Sequence, residues 1–252
     1  MVAPNPGPLT LEGTNTYVVA GGDGAYVIDP GPAHEDHVEA VRVEATAAGG
    51  IAGVLLTHGH LDHSAALALL ADAPLLWGEA GTRDESSADA GAGVASRAGK
   101  PRASAGPFEV VATPGHALDH VCFLLGEVCF SGDLILGRGS SFVPPDGGSL
   151  AAYMESLRKL EAMETLDLVC PGHGPYVIEP AAKVSEYLEH RLERERKLRD
   201  ALADGERSRE RLLDRAWDDV PAELRPAAAL VMQAHLEKLA AEGQLDEAEL
   251  IG

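Results

Sequence analysis

The stretch THGHLDH, Thr57 to His63, follows the apolar run GVLL (residues 53–56) and crowds three histidines and an aspartate into six residues. In an extended loop, side chains at i and i+2 point the same way, so His58 and His60 can grip one ion together. As the chain turns into the helical pattern SAALALLA (64–71), Asp62 and His63 can swing toward a neighbouring position. A lone histidine is usually a satisfied core or surface residue. A run of H-x-H-x-D-H is the donor set of a metal, because imidazole nitrogen suits zinc and carboxylate oxygen can bridge two cations.

Working outward, three further strand-like runs end in ligand-type residues. FEVVAT leads into PGH and His116, EVCFSG leads into Asp133, and LDLVC leads into a second PGH and His173. Four strand ends thus supply five histidines and two aspartates. If those ends share one edge of a sheet sandwich, all seven side chains meet in one cleft. One tetrahedral zinc takes three or four ligands, so seven point to two divalent ions, expected to be zinc.

The rest of the first 178 residues alternates short strands with turns. NTYVVA, AYVID, GVLLT, PLLW, FEVVAT, VCFLLG, VCFSGD and LDLVCP are rich in Val, Leu, Phe or Cys and are closed by Gly, Pro or Asp. Helices are predicted over residues 34–48, 64–71 and 150–163, the last because Tyr153, Leu157 and Leu160 recur at i, i+4, i+7. Residues 84–106, rich in Gly, Ala and Ser, read as a loop or insertion.

These motifs resemble the metallo-β-lactamase-fold superfamily, whose signature is H-x-H-x-D-H followed by His, Asp and His. The resemblance implies an α/β fold, a four-layer αββα sandwich with the site on one edge. It implies that His58, His60 and His116 hold one metal and that Asp62, His63 and His173 hold the other. Asp133 would bridge the two, together with a hydroxide. Classical zinc β-lactamases lack the bridging aspartate, and one class uses a cysteine ligand that none of Cys122, Cys129 and Cys170 matches. Di-iron redox members carry Glu where His60 stands. The opening NPGPLTLEGTNTYVV, the segment CFSGDLILG and a helical tail resemble the β-lactamase-like protein 2 branch, close to glyoxalase II. That branch includes thioesterases and nucleases of single-stranded RNA, and ends in a winged-helix-like domain. Residues 1–178 are therefore expected to form the catalytic domain and residues 179–252 a helical, winged-helix-like one.

The chemistry implied is hydrolysis of an ester or thioester, with single-stranded RNA cleavage as the alternative. Two cations lower the pKa of a shared water toward neutrality, so a nucleophile exists at pH 7, and Asp62 can orient or deprotonate it. Asp29, closing AYVID, resembles the family's aspartate behind a ligand histidine, although Asp before Pro is also an ordinary turn signal. His120, four residues past His116, is a candidate to support a metal ligand from behind or to contact substrate. The loop LGRGSSFVPPDGG follows Asp133 directly, so Arg138, Ser140 and Ser141 are candidate substrate contacts.

Composition narrows the partners. A formal net charge of −20 over 252 residues disfavours a general polyanion binder. Three cysteines make no disulfide framework, and no apolar run approaches membrane-spanning length, so a cytoplasmic protein acting on a small molecule is expected. Nine of the 20 basic residues lie between Arg191 and Arg215. Glu193–Lys197 and Glu195–Arg199 stand at i, i+4, the arrangement of an ion-paired solvated helix face. In the tail, the helix predicted over residues 223–242 offers only Arg225, Gln233 and Lys238 toward a groove, too few for sequence-specific DNA reading. The tail is expected to pack on the core, shape the cleft or make a homodimer.

Overall fold

The computed structural model describes residues 1–78 and 103–251, apart from 247 and 249. Among these, nine strands make two sheets. In the first, β1 (Tyr17–Gly21) and β2 (Gly24–Ile28) form a hairpin, extended in parallel by β3 (Ile51–Leu55) and β4 (Leu75–Trp77). The second runs β5 (Ala103–Ala105), β6 (Phe108–Ala112), β7 (Val121–Leu125) and β8 (Val128–Gly132) antiparallel, with β9 (Leu168–Pro171) parallel to β8.

The period-2 alternation of strands builds the layers. Phe123, Phe130 and Cys170 face the first sheet, where they meet Tyr26, Ile28 and Leu55. Their neighbours Cys122, Cys129 and Val169 face outward, onto Tyr153, Leu157 and Leu160 of α3 (Leu150–Glu161). On the opposite side, Val38, Val41 and Ala45 of α1 (Glu35–Ala47) are buried; the two valines pack with Val27 and Val54 of the first sheet. The order is helix, sheet, sheet, helix, the αββα sandwich expected. The three cysteines are free and buried in these cores.

The chain then enters the long α4 (Pro180–Ala203), which serves two cores. Its first half gives Val184, Tyr187 and Leu188 to the layer beneath α3. Its second half gives Leu198 and Ala201 to a separate cluster with Leu212 and Leu213 of α5 (Arg209–Ala216) and Met232, Leu236 and Leu239 of α6 (Arg225–Ala241). A parallel bridge between Ser208 and Ile251 ties the end of the chain back to the start of α5. No helix among the described residues is long and apolar enough to cross a membrane.

Three local readings change. Ala103–Ala105, inside the stretch read as a loop, pairs with β6 as β5; three small residues carry no detectable alternation. Residues 84–102 of that stretch lie outside the described residues. The helix predicted over 64–71 is a short α2 (Leu61–Ser64) followed by a 3-10 turn, Ala65–Leu70. There the Ala66 amide bonds the Gly31 carbonyl instead of its own helix. Lys197 reaches Asp218, while Glu193 is taken by Arg196; the pair Glu195–Arg199 forms at 2.7 Å.

Candidate metal centre

Parallel pairing of β2 with β3 and of β8 with β9, together with two antiparallel steps from β6 to β8, points five strand C-termini the same way within their sheets. The residues just past those termini are Asp29, Thr57–His63, His116, Asp133 and His173. The two sheets are stitched there. The Val121 amide bonds Thr57 O at 2.8 Å, and Asn15 bonds Gly172 O through its amide and Pro171 O and Gly174 O through its side chain.

Three ligand clusters result, each with its donor atoms within 4.8 Å of one another: His58, His60 and His116; His58, His63 and Asp133; Asp62, His63 and His173. His60 Nδ1 stands 3.0 Å from both His58 Nε2 and His116 Nε2. His173 Nε2 stands 3.2 Å from Asp62 Oδ2 and 3.3 Å from both Asp133 Oδ2 and His63 Nε2. All seven residues singled out in the sequence are in these clusters.

The outer hydrogen bonds decide which nitrogens face inward. Thr57 gives its hydroxyl proton to Asp29 Oδ2, so Thr57 Oγ1 accepts from His58 Nδ1–H at 3.0 Å. His116 Nδ1–H donates to the Phe142 carbonyl at 2.7 Å, and His63 Nδ1–H to Asp29 Oδ2 at 2.9 Å. His173 Nδ1 faces the Gly13 carbonyl at 3.3 Å. In the neutral rings, His58, His63, His116 and His173 therefore present bare Nε2 lone pairs to a common space. At most one proton, on His60, can relieve the first cluster. The buried Asp133 Oδ1 makes no hydrogen bond and lies 3.5 Å from His63 Nε2. Converging lone pairs and an orphaned carboxylate oxygen are stable together when cations lie between them, so the residues fit a metal centre.

The electrostatics of the bare cluster separate the two halves. Burial, reinforced by the neighbouring imidazoles, holds His58 well below its ordinary value. Burial also outweighs Asp133 at His116, which falls to about 4. At His63 and His173 burial is overcome by carboxylates: Asp62, Asp133 and Asp29 raise the first, and Asp133 with Asp62 lifts the second to about 9. His58 and His116 are thus neutral and ready for a cation at physiological pH. His63 and His173 must lose protons to bind one.

Asp29 is held by its surroundings in an unusual conformation. Its φ is 50°, a left-handed value uncommon for a residue other than glycine, and its carboxylate collects the Thr57 amide and hydroxyl at 2.8 Å each. His120 does not join a cluster. It receives the Asp133 amide on Nε2 at 3.2 Å, and its Nδ1 meets Thr113 Oγ1 at 2.9 Å. Burial brings it down to about 3. In the loop after Asp133, Arg138 and Ser140 are exposed, with Arg138 paired to Glu12. Ser141 is buried, and its hydroxyl donates to Asp133 O at 2.5 Å.

Other contributors were not singled out in the sequence. Thr57 and Asp119, whose carboxylate holds the Gly59 amide at 2.9 Å, are polar residues next to ligand motifs, which is a usable signal; Asn15 lies far from any such motif in the sequence. The Phe142 and Gly13 carbonyls leave no trace in side-chain identity.

Comparison with known proteins places the chain in a family. A model of the Metallo-beta-lactamase superfamily matches residues 9–74 and 99–173, and one of the Beta-lactamase associated winged helix domain matches residues 208–250. The Beta-lactamase-like protein 2 homolog of Caenorhabditis elegans is 31% identical over 258 residues, 96% of this chain and 83% of that protein. Thioesterase pkgB of Emericella nidulans is 34% identical over 203 residues, 79% of this chain and 57% of that longer protein. Among solved structures, a Beta-lactamase domain protein from Burkholderia ambifaria shares the fold with a TM-score of 0.72 at 19% identity, covering 98% of this chain and 86% of that one. The chain belongs to the metallo-β-lactamase superfamily, in its β-lactamase-like protein 2 branch, and is a metal-dependent hydrolase with a C-terminal winged helix domain.

Proposed function

We propose that this hydrolase cleaves an ester or thioester with two divalent ions, most simply zinc. His58, His60 and His116 would hold one, Asp62, His63 and His173 the other, and Asp133 would be shared. The observation that carries the reading is the convergence of the donor atoms of five histidines and two aspartates, with the buried Asp133 Oδ1 lacking a hydrogen bond, at the ends of neighbouring strands. A relative named as a thioesterase supports the choice of substrate class. When bound, the two ions would activate water at neutral pH and polarise the carbonyl under attack.

The protein side chains have separate tasks. Asp29, Thr57 and the Phe142 carbonyl fix the ring tautomers, so each ligand nitrogen is ready without reorganisation. Asp62, a quarter exposed where Asp133 is a tenth exposed, is the carboxylate best placed to orient a water entering the cleft and accept its proton. His120 holds the backbone of Asp133. Arg138 and Ser140, the substrate contacts expected on the loop after Asp133, are already engaged by Glu12 and Arg191, so Arg138 would meet an anionic part of the substrate only by leaving Glu12. Residues 1–178 carry this chemistry, and residues 179–252 buttress it.

The arginine-rich helix gives little support to RNA cleavage. Arg194, Arg196, Lys197, Arg199 and Arg215 are each paired with a carboxylate. In the tail helix, Arg225 pairs with Asp214, Gln233 bonds Glu237, and Lys238 pairs with Glu195 and Glu242. The test is a competition assay on the metal-replete protein, with an acyl thioester and a labelled single-stranded RNA in one vessel and His60→Ala as the blank. Thioester loss that disappears in the blank is expected. RNA loss alone would overturn the proposal.

A further inference from the structure

One buried cation is left over by the ion pairing of α4. Arg191 is 2% exposed, and among the described residues no carboxylate pairs with it, whereas Arg194, 6% exposed on the same helix, is neutralised by Asp219. Its Nε has no partner. The guanidinium lies over the Tyr153 ring, 5.5 Å from the centroid. Its Nη2 donates to Ser140 Oγ at 3.0 Å and to the Ser141 carbonyl. Burying a guanidinium without a counter-charge is costly, and oxygen dipoles offset only part of it. Here the oxygens that do so all belong to one short loop.

That loop touches two of the three ligand clusters. Ser141 Oγ donates to Asp133 O at 2.5 Å, and the Phe142 carbonyl accepts His116 Nδ1–H at 2.7 Å. The chain on either side is also pinned by helices: Tyr153 Oη donates to Leu134 O at 2.8 Å, and Tyr187 Oη accepts the Leu136 amide at 3.1 Å. Arg191 is the one among these groups whose bonds land on the residues joining Asp133 to His116.

We propose that Arg191 is a positioning residue of the metal centre. From α4 it fixes residues 140–142, and through them the carboxylate of Asp133 and the ring of His116. The inference rests on the metal-centre reading above. It makes the helix that leads to the tail a working part of the site, acting through the loop and without touching substrate.

The test uses the full chain loaded with cobalt(II), whose visible spectrum reports ligand geometry apart from turnover. Arg191→Met should alter that spectrum, speed metal release to a chelator by about 10–100-fold, the range for partners that orient ligands, and lower kcat while leaving KM nearly unchanged. Arg191→Lys, which keeps a donor toward Ser141 O, should recover part of each effect. Arg194→Met is the matched control: equally buried on α4 but bonded to Ala216 O and Asp219, it should lose stability with an unaltered cobalt spectrum. Should Arg191→Met fail to fold, Ser141→Ala cuts the next link and should move the same spectrum. Wild-type spectra and release rates in Arg191→Met, or in Ser141→Ala where it stands in, would overturn the proposal. A wild-type protein that takes up no cobalt would instead overturn the metal-centre reading itself.

Discussion

His63 and Asp29 are joined by a 2.9 Å bond from Nδ1–H to Oδ2, and that carboxylate also holds the amide and hydroxyl of Thr57. One buried acid thus sets the His63 ring directly and the His58 ring through Thr57. Asp29→Asn isolates this role, because asparagine tolerates the left-handed backbone found here but loses the charge and one acceptor. Metal affinity is expected to drop by about 10–100-fold with the fold retained. A competition titration against a chromophoric chelator measures it, and unchanged affinity would remove Asp29 from the centre.

The metal-free protein should be most stable near pH 6.5 and lose stability on both sides. His173, raised to about 9 by Asp133 and Asp62 against burial, stabilises the fold when protonated. Its contribution is complete below its ordinary value of 6.5 and is lost as pH rises toward 9. His63 is raised too and acts in the same sense. His116 and His120, depressed by burial to about 4 and about 3, resist protonation in the fold, so stability falls as pH drops below 6.5. Denaturant midpoints of the chelator-treated protein between pH 4 and 9 should trace this bell; a steady rise to pH 9 would contradict it. Metal uptake at pH 7–8 should correspondingly release protons.

Gly172 separates β9 from His173 and sits against the centre. A methyl group there would collide with Asp133 Oδ1 and come within 2.7 Å of His63 Cε1. The collision is with ligand side chains, so Gly172→Ala should fold but bind less metal than wild type. Turnover should fall by about 100-fold or more, since a misplacement near 1 Å costs that much. Near-normal metal stoichiometry by elemental analysis would show that Asp133 can move aside at no cost.

The ligand residues were legible in the sequence because each follows an apolar strand and is of a type that rarely clusters otherwise. The layers were legible because alternation such as Cys122–Phe123 and Cys129–Phe130 encodes two buried faces. What escaped is what side-chain identity does not encode. β5 consists of three small residues, the 3-10 turn at Ala65–Leu70 answers to a backbone bond from Gly31, and the His116 tautomer is set by a main-chain carbonyl. Arg191 escaped for another reason: in an arginine-rich helix its lack of a carboxylate partner becomes visible only when the other pairs are drawn.

The tail should unfold together with the catalytic sandwich. Leu236 on α6 is fully buried in the cluster with Leu198, Leu212 and Met232, while Ala234, two residues earlier, packs with the core beneath α3. α4 runs through both clusters, so neither can open without exposing part of the other. Leu236→Ala should cost about 2–5 kcal/mol, the range for a buried leucine truncation, and appear as one calorimetric transition at lower temperature. Because Leu236 packs in the tail cluster, away from the ligand clusters and residues 140–142, the hydrolytic rate per folded molecule should match wild type well below that transition. Two resolved transitions, with the upper one unmoved, would mean that the tail is an independent unit, and would weaken the case for any coupling through α4.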